Sequence, residues 1–193
     1  MKKTAVLLYP QFCMFEISVA LEMLAMAGKP ITVFAKTAAP VKSEEGLTVQ
    51  PEKTLAQLDL EEYDSLLLPG AADIRDAVED EETLDFVRRF GQSGKVIGAI
   101  SIAPVLLVKS GVMGSRRFMA GINPEELLEE GFSPAQLAHM WGWNDNLQAP
   151  IADGYIRSDN IVTSVSYEFV RFAAAFGKLL GIEIPVKNFG IRD

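Results

Sequence analysis

The stretch Gly94-Lys95-Val96-Ile97-Gly98-Ala99-Ile100-Ser101-Ile102-Ala103-Pro104 decides the fold. It opens on a glycine turn, continues as an apolar run, and passes within a few residues into a segment that starts with proline and closes at Gly111. A buried strand that hands over directly to a helix is the unit of a parallel sheet, because parallel strands need crossover connections. Ser101 falls at the handover, and Ala99 and Ala103 stand two residues to either side. Small flanking residues suit a sharp strand-to-helix turn, where larger side chains collide. Two readings of Ser101 stay open from the residues alone. It is the tip of a nucleophile elbow, with the next amides, Ile102 and Ala103, aimed at anionic oxygen, or it is a serine N-cap on an ordinary helix.

Outward from this segment the same alternation recurs. Thr4 to Tyr9, Ile31 to Ala35 and Ser65 to Leu68 are short runs apolar enough to be covered on both faces, as strands of a mostly parallel sheet are. Tyr155 to Arg157 and Ile161 to Ser164 flank Ser158-Asp159-Asn160 as a late hairpin, and Val41 to Ser43 and Leu47 to Gln50 form another around Glu44-Glu45-Gly46. Between them lie helices from about Phe15 to Ala27, stopped by Gly28-Lys29-Pro30, and from about Asp80 through Arg88-Arg89. Asn123-Pro124-Glu125-Glu126 and Ser133-Pro134-Ala135-Gln136 each carry a cap, a first-turn proline and a Glu or Gln at the third helical position, so two short helices start there. Tyr167 to Leu180 sets Phe169, Phe172, Phe176 and Leu180 on one face. The predicted class is α/β, a flavodoxin-like three-layer α/β/α sandwich, organised as one domain over 1–193 with a helical insertion at about 122–150.

Composition narrows the function. At 193 residues and 49 % apolar content the chain can bury a sizeable core without disulfide or metal. Its single cysteine, Cys13, forms no internal disulfide, and with no secretory leader the expected location is cytoplasmic. No run approaches a membrane span. The formal charge of −8 repels phosphate backbones, so neither nucleic acid nor membrane is an expected partner. Tyr9 to Glu16 lacks the glycine-rich phosphate loop of a flavin or nucleotide carrier, and no cofactor is called for. His139 stands without cysteines or clustered carboxylates at ligand spacing, so no metal site is expected.

Ala99-Ile100-Ser101-Ile102-Ala103-Pro104 resembles the strand-Cys-helix elbow of the ThiJ/PfpI superfamily, whose members include deglycases, isonitrile hydratases and protease-like proteins. Glu62-Tyr63-Asp64-Ser65-Leu66-Leu67-Leu68-Pro69-Gly70-Ala71 is similar to its strand ending in Pro-Gly-Gly, and Phe15-Glu16 to the place of its acidic residue. Asp153-Gly154, Ile161 to Ser164 and Glu168-Phe169 fit its C-terminal strand pair and helix. The resemblance implies a pocket in which Ser101 and Glu16 are the catalytic pair, and the amides of Gly70, Ala71 and Ile102 face an oxyanion. It puts serine where cysteine belongs, and Gly121 near the place of a histidine that many relatives carry. A hydroxyl hardly ionises where a thiol, of ordinary pKa about 8.5, does so readily.

Four further residues are candidates for the pocket. Cys13 lies three before Glu16 and is an ordinary partly buried cysteine or a displaced thiol. His139, Trp141 and Trp143, in the insertion, pack into a core or interface, or form a lid that touches ligand. Two functional expectations follow. The chain is a catalytically silent binder of a small-molecule ligand or partner, or an inactive form, or it is an active hydrolase- or lyase-like enzyme on a small carbonyl, amide or isonitrile compound. A homodimer is expected, from the family habit and from Trp141 and Trp143.

Overall fold

The computed structural model describes residues 1–183 and 185–191. Its elements begin with β1 (Lys3–Leu7), α1 (Met14–Met26), β2 (Ile31–Ala35), a hairpin of β3 (Val41–Lys42) and β4 (Thr48–Val49), and β5 (Lys53–Thr54). There follow β6 (Tyr63–Leu68), α2 (Arg75–Glu79), α3 (Glu81–Gln92), β7 (Val96–Ile100) and α4 (Pro104–Lys109). The last third holds β8 (Phe118–Met119), α5 (Pro124–Glu129), α6 (Pro134–Leu137), β9 (Met140–Trp141), α7 (Trp143–Gln148), β10 (Tyr155–Ser158), β11 (Ile161–Ser164) and α8 (Phe169–Leu179).

Seven strands form one sheet in the order β10-β11-β7-β6-β1-β2-β5. Every neighbouring pair is parallel except β10 and β11. The chain moves one way along the sheet from β1 to β2 and the other way from β6 to β7. Right-handed crossovers therefore set α1 on one face and α2 and α3 on the opposite one. α8 packs on α1 and on β7 and β11, while α4 joins α2 and α3. The result is the flavodoxin-like α/β/α arrangement that the strand-helix alternation predicts. Among the described residues no helix is long and apolar enough to cross a membrane.

Both faces of the central strands are covered, which is why Ala5-Val6-Leu7 of β1, Leu66-Leu67-Leu68 of β6 and all of β7 are apolar. On the α3 face Phe34, Tyr63, Phe86 and Phe90 pack edge-on or tilted at centroid distances of 5.1–6.4 Å. On the α8 face the rings of Phe172 and Phe176 lie on Gly98, where an added Cβ would come within 2.7 Å of Phe176 and 3.1 Å of Phe172. Gly98 is thus the close-approach point between β7 and the last helix.

The boundaries differ from the sequence expectation where periodicity is short. β1 ends at Leu7, although the Leu8 N–H still donates to the Phe34 carbonyl at 2.8 Å; Pro10 has no N–H with which to extend the ladder. α8 begins at Phe169 because Ser166–Glu168 forms a 3-10 turn. The two-residue strands β5, β8 and β9 and the short α2 and α7 carry too few positions for a period to show. Both proline-opened helices start where their caps predict, each with a capping box.

Candidate functional site

Ser101 follows the last residue of β7 and has φ +62°. That left-handed conformation is uncommon for a side-chain-bearing residue and costs on the order of 1–2 kcal/mol. Hydrogen bonds on both sides hold it. Its N–H donates to the Ser164 carbonyl at 2.8 Å, which carries the β7–β11 ladder one residue further, and its carbonyl accepts from the Gly121 N–H at 2.7 Å. Ala99 and Ala103 are fully buried beneath the turn. The N-cap of α4 is Ala103, without a side-chain cap, so Ser101 does not serve as the cap of that helix.

Glu16 enters from the first turn of α1 and is 2 % exposed. Its Oε2 accepts from the Gly70 N–H at 2.7 Å. Burial pushes its pKa up to about 7, against the ordinary 4.5. The Ser101 hydroxyl beside it, the Gly70 N–H and the Cys13 thiol favour the charged form, while the nearby Glu44 carboxylate opposes it. Near neutral pH Glu16 is therefore about half protonated, able to give or to take a proton.

Two glycines make this convergence sterically feasible. A Cβ on Gly70 would fall 2.5 Å from Glu16 Oε2, 2.7 Å from Ser101 Cβ and 2.9 Å from Ser101 Oγ. At Gly121 it would sit 3.2 Å from the Cα, C and Oγ of Ser101, so the backbone there forms a wall against the serine. The strand β8 delivers Gly121, because β8 pairs with β9 and the Ala120 N–H donates to the Trp141 carbonyl at 3.1 Å.

The structure thus brings Ser101, Glu16, Gly70 and Gly121 together. The Gly70 N–H is spent on the Glu16 carboxylate rather than facing an anion. Among the described residues the N–H groups of Ala71 and Ile102 have no acceptor. Ala71 bridges Phe12, so residues 11–13 and 70–72 form a short antiparallel ladder, with the Cys13 N–H on the Gly70 carbonyl at 2.8 Å.

Cys13 precedes α1 and is 6 % exposed; burial and its hydrogen bond to Glu44 raise its pKa, so it is a protonated thiol. His139 lies outside the core, so of the sequence readings the interface and the lid stand. Its side chain is exposed, and only its carbonyl is engaged, by the Phe118 N–H. Trp141 packs against Met119, Ile156 and Val165 under the Arg117 guanidinium, 5.4 Å away. The Trp143 ring meets Tyr167 edge-on at 5.6 Å, and Phe15, next to Glu16, meets Phe169 in the same way at 5.9 Å. Two contributors escape the sequence reading. Glu44 reaches Cys13 from the hairpin turn, and the Tyr9 hydroxyl donates to the Pro69 carbonyl and steadies the turn before Gly70. Neither carries a local motif; each acts across more than 30 residues. Among the described residues no group of three or more His, Cys, Asp or Glu could hold a metal ion.

Comparison with known proteins places the chain and its fold. An isonitrile hydratase from Pseudomonas putida is 24 % identical over 81 % of the chain, and the match spans 62 % of that relative's length. A protein/nucleic acid deglycase from Escherichia coli K12 is 31 % identical over 62 % of the chain and 70 % of its own. The fold superposes on a DJ-1 superfamily protein from Agrobacterium tumefaciens with a TM-score of 0.80, at 21 % identity, covering 98 % of this chain and 95 % of the other. The sequence pattern of the DJ-1/PfpI family matches residues 2–177. The chain therefore belongs to the DJ-1/PfpI family.

Proposed function

We propose that the Ser101 site binds a small carbonyl, amide or isonitrile compound through the Ser101 hydroxyl, the Glu16 carboxyl and the free N–H groups of Ala71 and Ile102, without forming a covalent bond at residue 101. The observation that carries this reading is the identity of the base. Among the described residues Glu16 is the titratable group set against Ser101, with a pKa of about 7. That basicity matches an imidazole's, but the carboxyl already accepts from the Gly70 N–H at 2.7 Å and lacks the separate orienting group of a nucleophile–base–orienter triad, which supports its reading as a hydrogen-bonding partner for ligand. No imidazole assists it, since position 121 is a glycine wall and His139 is exposed. The test is intact-mass spectrometry after incubation with a 2-oxoaldehyde. The wild type should keep its mass while Ser101→Cys gains an adduct at residue 101; a stable adduct on Ser101 would overturn the reading.

A second reading is favoured by the half-protonated state of Glu16. A carboxyl poised near 7 can donate its proton to the terminal carbon of an isonitrile while water adds to the same carbon, and then recover a proton from that water. This leaves the formimidic acid R–N=CH–OH, whose hydroxyl proton shifts to nitrogen to give the N-substituted formamide, and residue 101 stays free throughout. The relative named isonitrile hydratase makes this the first activity to assay, with formamide formation followed by chromatography and Glu16→Gln as the control. The same proposal takes the chain as one cytoplasmic domain with 122–150 inserted, and as a homodimer, expected from Trp141 and Trp143, whose interface we extend to the exposed Tyr167 that meets Trp143 edge-on and to Phe15.

A further inference from the structure

A cavity of about 1110 Å³ opens at the carboxyl edge of the sheet, away from Ser101. It meets the 11–13/70–72 ladder at Gln11 and Ala72, whereas Glu16 and Ser101 lie at the Cys13–Gly70 end. Its floor is Leu8, Tyr9 and Ala35, the residues that end or follow β1 and β2, all of them buried. α2 walls it on one side and the β3 end of the hairpin on another. The strand order reverses beside β1, with β2 on one flank and β6 on the other. Open α/β sheets hold their ligands in the crevice at such a reversal. The volume is that of a site for a sizeable organic molecule, which runs to about 1,000 Å³.

Its charge is uneven. Lys36 and Asp80 pair with each other, and Asp80 also caps α3 by accepting from the Thr83 N–H at 3.0 Å and its hydroxyl at 2.7 Å. Glu44, Asp76 and Glu79 form no ion pair among the described residues, and neither does Lys42. Three open carboxylates thus border an apolar floor with one open ammonium. Asp76 and Glu79 are three residues apart on α2 and share a face of that helix. The net charge of −8 on the whole chain reinforces the local field.

We propose that this cavity binds an organic cation, an amine or guanidinium carried on an apolar body, with the charged end at Asp76, Glu79 and Glu44 and the body on Leu8, Tyr9 and Ala35. The site adjoins the Ser101 pocket through Glu44, whose carboxylate also meets Cys13, and through Tyr9, whose hydroxyl donates to the Pro69 carbonyl.

The probe pair is 2-phenylethylamine and 3-phenylpropionate, which share an apolar body and differ in the sign of the charge. Titration of the full chain, followed by calorimetry and by amide shifts in NMR, should show saturable binding of the amine. The shifted residues should be 35–44 and 72–83, and the carboxylate should not bind. Asp76→Asn combined with Glu79→Gln should weaken the amine by about threefold to tenfold, the scale of two exposed charge contacts. Lys42→Glu, a surface change that adds a carboxylate, should tighten it severalfold and guards against a double variant that fails to fold. Binding of the carboxylate as well as the amine would overturn the proposal. So would shifts centred on residues 101 and 121, no saturation because a second copy of the chain covers the cavity, or an affinity unchanged in both variants.

Discussion

Replacing Glu16 with glutamine removes a buried carboxyl while keeping an oxygen to accept from the Gly70 N–H. The folded protein holds the Glu16 proton to about pH 7, whereas the ordinary value is 4.5. At about 1.4 kcal/mol per pH unit that gap is worth about 3 kcal/mol. Between those two pH values the folded state binds the proton and the unfolded chain does not, so stability falls as pH rises through the window. The favourable contribution is complete below pH 4.5 and gone above about 7. Glutamine does not titrate. Urea unfolding at intervals from pH 5 to pH 8 should therefore show the variant gaining on the wild type by about 2–3 kcal/mol across the range, at constant m. Glu44→Gln supplies the internal control, because removing a like charge makes Glu16 more acidic, and the window should close at a lower pH. Curves for wild type and Glu16→Gln that run parallel over the whole range would refute the argument that burial governs this carboxyl.

Ser101→Cys should create a thiol that iodoacetamide labels faster than Cys13, whose burial keeps it protonated; peptide mapping that finds Cys13 modified first would contradict the account. Gly98→Ala should cost about 1–3 kcal/mol in chemical denaturation, since the new methyl meets the Phe176 and Phe172 rings below ordinary contact distance, and an unchanged midpoint would show that α8 yields freely. Sedimentation should give a mass near twice 21.1 kDa, and Phe15→Glu, at an aromatic that is 43 % exposed, should shift it toward the monomer.

The fold was legible because its signals are local. The run from Val96 to Pro104 changes from strand to helix within the span of a turn, and Asn123 and Ser133 announce their helices by cap, proline and third-position partner. The site was legible in outline only. Ser101 and Glu16 stand at recognisable junctions of strand and helix, but what surrounds them is assembled from distant segments. Nothing near Gly70 says that its N–H is consumed by a carboxylate 54 residues earlier. Glu44 reads as a turn residue in its own neighbourhood and becomes a neighbour of Cys13 only when the hairpin folds back. His139 shows the opposite case: of the sequence readings the core one fails, and the interface and lid ones stand. An aromatic setting between Leu137 and Trp141 suggests packing, yet His139 lies just before the two-residue strand β9 and its side chain is exposed, while Trp141 within that strand meets Met119, Ile156 and Val165.

Whether Ser101 is more than a helix cap can be argued from what a cap would require. A capping serine has extended backbone and turns its oxygen back onto the N–H groups of the helix it begins. Ser101 has φ +62°, and the helix that follows is entered through Ala103 with no side-chain cap. Such a conformation, costing on the order of 1–3 kcal/mol, persists only where the surroundings over-determine it. Here they do so from several directions. Ser164 and Gly121 hold the backbone of the turn. Glu16 is fixed in turn by the start of α1, whose Met14 and Phe15 N–H groups donate to Glu45 at 3.2 and 3.1 Å, since Cys13 offers that helix no cap of its own. Gly70 then closes the remaining space with an N–H on the carboxyl and no side chain in the way. A hydroxyl that merely began a helix would need none of these contacts. These long-range contacts sustain the local strain and set Ser101 against Glu16 and Gly70 rather than at the cap of α4.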